Sequence, residues 1–316
     1  MKNFGLIGAA GYIAPRHMKA IKEIGHNLSV ALDKHDSVGI LDSHFPGADF
    51  FTEFERFDRY VHKLRLEDSA KALDYLSICS PNYLHDAHIR FALRSGMHAI
   101  CEKPLVINPW NLDALQSLEE NSDFSIFNVL QLRLHPSVQK LAAQVRAQPD
   151  RSYDIDLGYI TSRGRWYDYS WKGDNDKSGG IATNIGIHFF DMLLWIFGAI
   201  QRNEVHIMEP HRAAGHLVLE RARVRWFLSI DGNDLPKDIR EQGKRTWRSL
   251  QWGDEQFEFS TGFTDLHTET YRQIIDGHGF GLAHARPSIE CVHAIRTATP
   301  VGLVGETHPA IKNRKC

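Results

Sequence analysis

Over its first 130 residues the chain alternates short apolar runs with helical patterns, and that alternation leaves few folds open to it. The apolar runs are 4–7, 28–32, 75–79, 98–101 and 125–130, and the helical stretches are 15–24, 84–94 and 109–119. Strands joined through helices lie parallel, because a parallel return needs a crossover long enough to hold a helix. A doubly wound parallel sheet is therefore predicted. The helix at 109 has a clear start, since Asn108 is a capping residue type and Pro109 suits the first helical position. Only 33–72 is irregular; its aromatics and charges predict a short strand at 50–52 and an amphipathic helix.

After about Leu130 the period changes. "YDIDLGYITSRGRW" and "GHLVLERARVRWFLSI" alternate apolar and polar residues, the mark of antiparallel strands with one wet face. Arg221, Arg223 and Arg225 fall on that period, as a solvated sheet face or a subunit contact would place them. A strong helical segment covers 184–197, and more helix is predicted over 265–296. The expected fold class is thus α/β: a doubly wound domain over 1–130, then an α+β domain over 131–316 with a large, mainly antiparallel open sheet. Its C-terminal helices are able to pack back on the first domain.

Charge and cysteines exclude several functions. With 37 Lys+Arg against 39 Asp+Glu the chain has no global field for nucleic acid. The four cysteines, Cys79, Cys101, Cys291 and Cys316, show no CxxC spacing and read as reduced thiols. The 18 histidines form no HExxH or His/Cys ligand pair, so no metal is expected. No apolar run in the sequence approaches the ~18 residues of a membrane span, and the N-terminus lacks a signal-peptide pattern, so a cytoplasmic location is expected.

The opening stretch "FGLIGAAGYIAPRH" follows an apolar strand and precedes a helix, the context of a dinucleotide loop. Gly8 permits the tight turn, Gly11 lets backbone approach a pyrophosphate, and Ala14 is small enough for helix-on-strand packing. Phosphates would meet Ala10, Gly11, Tyr12 and Ile13 at the start of the next helix, where free N–H groups and the dipole favour anions. Asp33 lies 22 residues after Gly11, near the ~20 expected of the acid that binds a ribose 2′-OH. A carboxylate there repels a 2′-phosphate, which selects NAD over NADP. The first domain is thus read as a Rossmann NAD-binding domain.

"SICSPNYLHDAHIRFAL", "GMHAICEKPL" and "SGGIATNIGIHFFDMLLWIFG" complete a pattern. Together with the loop they resemble the Gfo/Idh/MocA oxidoreductases, and the correspondence covers nearly the whole chain. "KHDSVGILDS", "QLRLHP", "RGRWYDYSWKGD" and the Asn in the last helix are most similar to the WlbA/WbpB group, which oxidises UDP-N-acetylglucosaminuronic acid at C3 in surface-polysaccharide (lipopolysaccharide, O-antigen) pathways. The resemblance implies cofactor contacts from Ser80, Pro81, Asn82, His85, Glu102 and Lys103, with Glu102 orienting the nicotinamide ribose or the lysine. It implies that Lys103 and His188 share the catalysis, one withdrawing the hydroxyl proton and the other polarising the oxygen. It also implies a homo-oligomer, a tetramer.

Asn184 departs from the family pattern, where many members carry Asp. An amide cannot take a proton, although it can bond a sugar hydroxyl. On an α-helix Asn184 and His188, at i and i+4, share a face, and Asp191 falls within reach of His188 as a brace. Arg133 and His135, with the loop holding Arg163, Arg165, Trp166, Tyr167 and Lys172, offer forks for a diphosphate or carboxylate and rings for a sugar or uracil. These suit a nucleotide-sugar. The same loop suits a polar shield over the sheet or a subunit contact. Two other functions fit this fold: an NAD-dependent glycoside hydrolase, and a non-catalytic NAD and sugar sensor.

Overall fold

The computed structural model describes residues 1–67, 70–253, 255–257 and 265–311, which leaves Cys316 outside. Among the described residues, twelve strands are arranged in two six-stranded sheets. The chain divides into two compact units, Met1–Gln131 with Thr264–Arg286, and Leu132–Phe263 with Pro287–Cys316.

In the first unit the strands β1 (Asn3–Ile7), β2 (Asn27–Leu32), β3 (Asp49–Phe51), β4 (Tyr75–Ile78), β5 (His98–Cys101) and β6 (Ile126–Asn128) form an all-parallel sheet in the order β3-β2-β1-β4-β5-β6. The order reverses between β1 and β4, and a ligand crevice opens beyond the carboxyl ends of the strands at such a switch point. The Rossmann expectation is met, including the short strand and the helix Phe54–Glu67 in the irregular segment. Asn108 does occupy the N-cap of the helix Pro109–Glu120, with extended backbone, yet its side chain makes no capping bond. Phe4, Leu6, Met18, Ile21 and Leu28 are wholly or almost wholly buried at the centre, packed on Tyr271 from the returning helix Leu266–Ile275.

The second unit has β7 (Tyr153–Thr161), β8 (Ile200–Met208), β9 (Arg212–Leu219), β10 (Ala222–Ser229), β11 (Thr246–Trp252) and β12 (Glu255–Phe257), in the order β12-β11-β7-β10-β9-β8. The sheet is mainly antiparallel, but β10 pairs with β7 in parallel. Strand period alone does not reveal this, because a crossover through a helix and two further strands separates the pair. Arg223 stands opposite Asp154, and Arg225 opposite Asp156, each forked to its partner at 2.6–3.0 Å. Arg221 differs from both: it donates to the carbonyls of Val145 and Ile196, near the C-terminal ends of two helices.

Two expectations change at the helix in this unit. The stretch Asn175–Phe197 is long and apolar enough to pass as a membrane span, although no run in the sequence suggested one. It is a core element: 72% of the qualifying window is buried, and Phe190 meets Trp226 edge-on at 5.3 Å, both rings fully buried. Burial of a Phe ring contributes roughly 2–3 kcal/mol, which explains so apolar a helix without a bilayer. Nor is the helix regular. Ala182–Gly186 is a π-helical segment, and the α-helix proper runs Ile187–Phe197.

Burial also sets how the fold responds to acid. His88 in the first unit and His308 in the second are pushed down to about 4 by burial. The unfolded imidazoles titrate near 6.5, so below that value the unfolded chain binds more protons than the folded one. Stability is therefore full above pH 6.5 and falls towards pH 4, by about 3 kcal/mol for each histidine. Urea unfolding followed from pH 7.5 to pH 4.5 will show midpoints that decline together with pH; flat midpoints across this range contradict the assignment. Cys79, Cys101 and Cys291 are free and buried, and burial raises all three thiols.

Candidate active site

The opening loop is shaped by close backbone packing. Gly8 has φ +92°, and a Cβ there would lie 2.6 Å from the carbonyl of Cys79, so only glycine fits. Asp33 closes the loop, as its Oδ2 accepts from the Ala10 N–H at 3.0 Å and Oδ1 from the His35 N–H at 2.9 Å. Each oxygen retains acceptor capacity for a ribose hydroxyl. The helix Ala14–Glu23 has Pro15 as its second residue, no side-chain cap and no acid in its first turn. The N–H groups of Tyr12 and Ile13 meet no acceptor among the described residues. Unclaimed amides at a helix N-terminus, beside a ribose-binding carboxylate, fit a dinucleotide.

The Glu102–Lys103–Pro104 turn is held from several sides within the first unit. Glu102 is buried, and its Oε1 accepts from Nε2 of both His17 and His267 at 3.0 Å, while Oε2 accepts from the Lys103 N–H at 3.2 Å. These donors hold the carboxyl well below the usual range, although desolvation, the largest single influence, opposes them. Asn128 donates to the carbonyls of Cys101 and Glu102. The Lys103–Pro104 peptide is cis.

His85, expected to contact the cofactor, sits against the turn: its Nδ1 lies 2.7 Å from the Pro104 carbonyl and its Nε2 2.8 Å from the Ser80 carbonyl. Only an imidazolium donates to two carbonyls. Burial holds the histidine's pKa down, against the two carbonyls and the Glu102 charge. The Ser80 hydroxyl is paired with His88 Nδ1 at 2.9 Å, while Pro81 and Asn82 lead into the helix His85–Arg94.

In the second unit, Ile181–Leu193 is buried except at Asn184 and His188, which are partly exposed. The π segment makes i→i+5 bonds and thus widens the turn that carries Asn184, so the pairing of these two residues is not the plain α-helical i+4 of the sequence pattern. Asn184 Nδ2 donates to the Tyr167 hydroxyl at 2.6 Å. Burial raises the Tyr167 phenol, which therefore remains protonated and able to donate onwards. Trp166 is 53% exposed and packs its edge on Tyr167, while Lys172 lies over the Trp171 ring. Arg163 and Arg165 are exposed.

Three residues named from sequence have partners within the second unit. Arg133, buried, forks the carboxylate of Asp191 at 2.7 and 2.9 Å. His135 caps the helix Pro136–Arg146, its Nδ1 accepting from the Ser137 N–H at 3.2 Å. His17 and His267 were missed. No local motif marks residues 250 positions apart.

The sequence matches the GFO_IDH_MocA model, an oxidoreductase family with an NAD-binding Rossmann fold, over residues 2–127, and the C-terminal alpha/beta domain of that oxidoreductase family over residues 151–224. It is similar to the WlbA (WbpB) dehydrogenase from Thermus thermophilus in complex with NAD and alpha-ketoglutarate, at 51% identity and TM-score 0.94, covering 98% of this chain and 99% of that one. The likeness to the WlbA (WbpB) dehydrogenase of that organism in complex with NAD and UDP-GlcNAcA is 49%, with TM-score 0.93 and the same coverage. Glucose-6-phosphate 3-dehydrogenase of Bacillus subtilis is 25% identical over 214 residues, 62% of this chain and 54% of that protein, so the chain spans about half the length of this relative.

Proposed function

Because the chain belongs to the Gfo/Idh/MocA oxidoreductase family, we propose that it is an NAD-dependent dehydrogenase that oxidises the C3 hydroxyl of UDP-N-acetylglucosaminuronic acid to the 3-keto sugar. The observation that carries this reading is the full-length likeness to the Thermus enzyme bound to NAD and that nucleotide-sugar. The chain's own residues agree with it: Asp33 and the Tyr12 and Ile13 amides suit NAD, and a held turn presents Lys103.

Bound NAD supplies the hydride acceptor. Lys103 holds the hydroxyl oxygen and stabilises negative charge as it develops, and His188 withdraws the proton, or the two exchange these roles. Asn184, fixed by Tyr167, bonds a sugar hydroxyl. Arg163, Trp166 and Lys172 serve the charged and flat parts of the nucleotide. Met1–Gln131 acts as the NAD-binding domain and the second unit as the substrate domain. This reading carries with it a cytoplasmic location, a homotetramer and a place in surface-polysaccharide sugar synthesis.

The test is mass spectrometry of the sugar after incubation with UDP-N-acetylglucosaminuronate and either NAD or NADP, with and without 2-oxoglutarate as a hydride sink. A product two hydrogens lighter with UDP attached, formed with NAD and faster with the sink, is expected. Intact substrate in every arm rejects the reading, and UDP release without oxidation points to glycoside cleavage.

A further inference from the structure

Behind the Glu102–Lys103 turn lies a buried polar chain that the reaction itself does not use. Ser77 on β4, Tyr271 and His267 on the helix Leu266–Ile275, His17 on the helix Ala14–Glu23, and Glu102 form one connected set. Ser77 Oγ lies 2.6 Å from the Tyr271 hydroxyl, which lies 2.7 Å from His17 Nδ1. His17 Nε2 and His267 Nε2 each lie 3.0 Å from the same oxygen of Glu102. All five residues are buried.

The partners determine where the protons sit. A buried phenol stays protonated, and this one is pushed well up by burial, so Tyr271 donates to His17 Nδ1 and accepts from Ser77. His17, its pKa lowered mainly by burial, is then the neutral tautomer with its one proton on Nε2, aimed at Glu102. Every hydrogen bond in the chain runs towards the carboxylate. Glu102 thus receives His17 and His267 on Oε1 and the Lys103 N–H on Oε2.

A structural role alone accounts poorly for this arrangement. An ionised carboxylate away from water is costly, and apolar residues of similar volume pack as well or better. Here residues from two distant helices converge on one charge, and the remaining bond of that charge goes to the amide of Lys103. We propose that His17 and His267 are positioning residues for Lys103, clamping Glu102 so that it fixes the lysine's backbone and ties this turn to the helix that receives the cofactor phosphates. The inference rests on the reading of Lys103 as catalytic. Small displacements of a reacting group cost up to ~100-fold in rate.

The test compares His267→Leu, which removes the donor, with His267→Gln, which keeps an N–H at similar reach; His17→Leu and His17→Gln form a second pair. Oxidation of UDP-N-acetylglucosaminuronate should show kcat at least tenfold lower in each Leu variant, KM for the sugar within threefold, and kcat largely rescued in each Gln variant. Independently of any substrate, amide exchange at Lys103, read in peptides spanning 100–106, should be at least tenfold faster in His267→Leu and near wild type in His267→Gln. Unchanged exchange and unchanged kcat in the Leu variants overturn the proposal. So does stoichiometric metal in the purified wild-type protein that is lost in His267→Leu, since the cluster is then a metal site. If wild type leaves the sugar intact while exchange responds as expected, the clamp stands and the substrate reading fails.

Discussion

Lys103→Ala is expected to lower kcat about 1,000-fold and leave NAD affinity within a few fold. Positioned acid–base and charge-stabilising groups each contribute about 100- to 10,000-fold, and this lysine is assigned both kinds of work. The backbone bonds described for this turn do not depend on the side chain of residue 103. Glu102 accepts the backbone N–H of residue 103, Asn128 binds the carbonyls of 101 and 102, and His85 binds the carbonyl of 104. Alanine preserves all of these bonds. Keto-sugar formation by mass spectrometry and NAD titration by fluorescence measure the two quantities; activity within tenfold of wild type removes Lys103 from the mechanism.

The second large effect is on stability. Asp191→Ala leaves the Arg133 guanidinium buried, where the native pair has side-chain exposures of 7% and 3%. Breaking a buried pair from one side costs about 3–5 kcal/mol, because the remaining charge keeps its desolvation penalty and loses the carboxylate. Replacing both, as Arg133→Met with Asp191→Leu, should recover most of the loss, since the apolar pair needs no compensation. Urea unfolding of the two single variants and the double variant provides the cycle. A single-variant cost below about 1 kcal/mol shows that the fork relaxes to water and is available to a ligand, as its sequence context suggested.

What could be read from the sequence was local. Gly8, Gly11 and Asp33 mark out a tight loop, closed where Asp33 accepts the Ala10 N–H, because a tight turn and a close backbone approach each demand a particular residue type at a short offset. The EKP tripeptide is legible for the same reason. What escaped was non-local or depended on helix phase. His17 and His267 meet Glu102 only after the chain returns to the first unit, 250 residues later. The π segment shifts Asn184 against His188, and an i+4 spacing gives no sign of that. The pairing of Arg133 with Asp191 joins residues 58 positions apart, and no local pattern announces it. The β7–β10 pair looked antiparallel because a period of two is the same in both directions.

The Arg–Asp rungs along that pair have a consequence for how the chain finds its partner strand. A slip by one residue is opposed by burial, since it moves the buried Val224, Trp226 and Leu228 of β10 to the face of Arg223 and Arg225. A slip by two leaves each side chain on its proper face, and the apolar pattern cannot tell it from the native pairing. The rungs can: after such a slip one arginine meets the wrong aspartate and the other arginine meets none. Surface pairs such as Arg223–Asp154, whose side chains are both more than half exposed, add little to the native state. Their larger effect is on the misaligned states, which they make unequal to the native one while the strands, some 69 residues apart in the chain, are still finding each other.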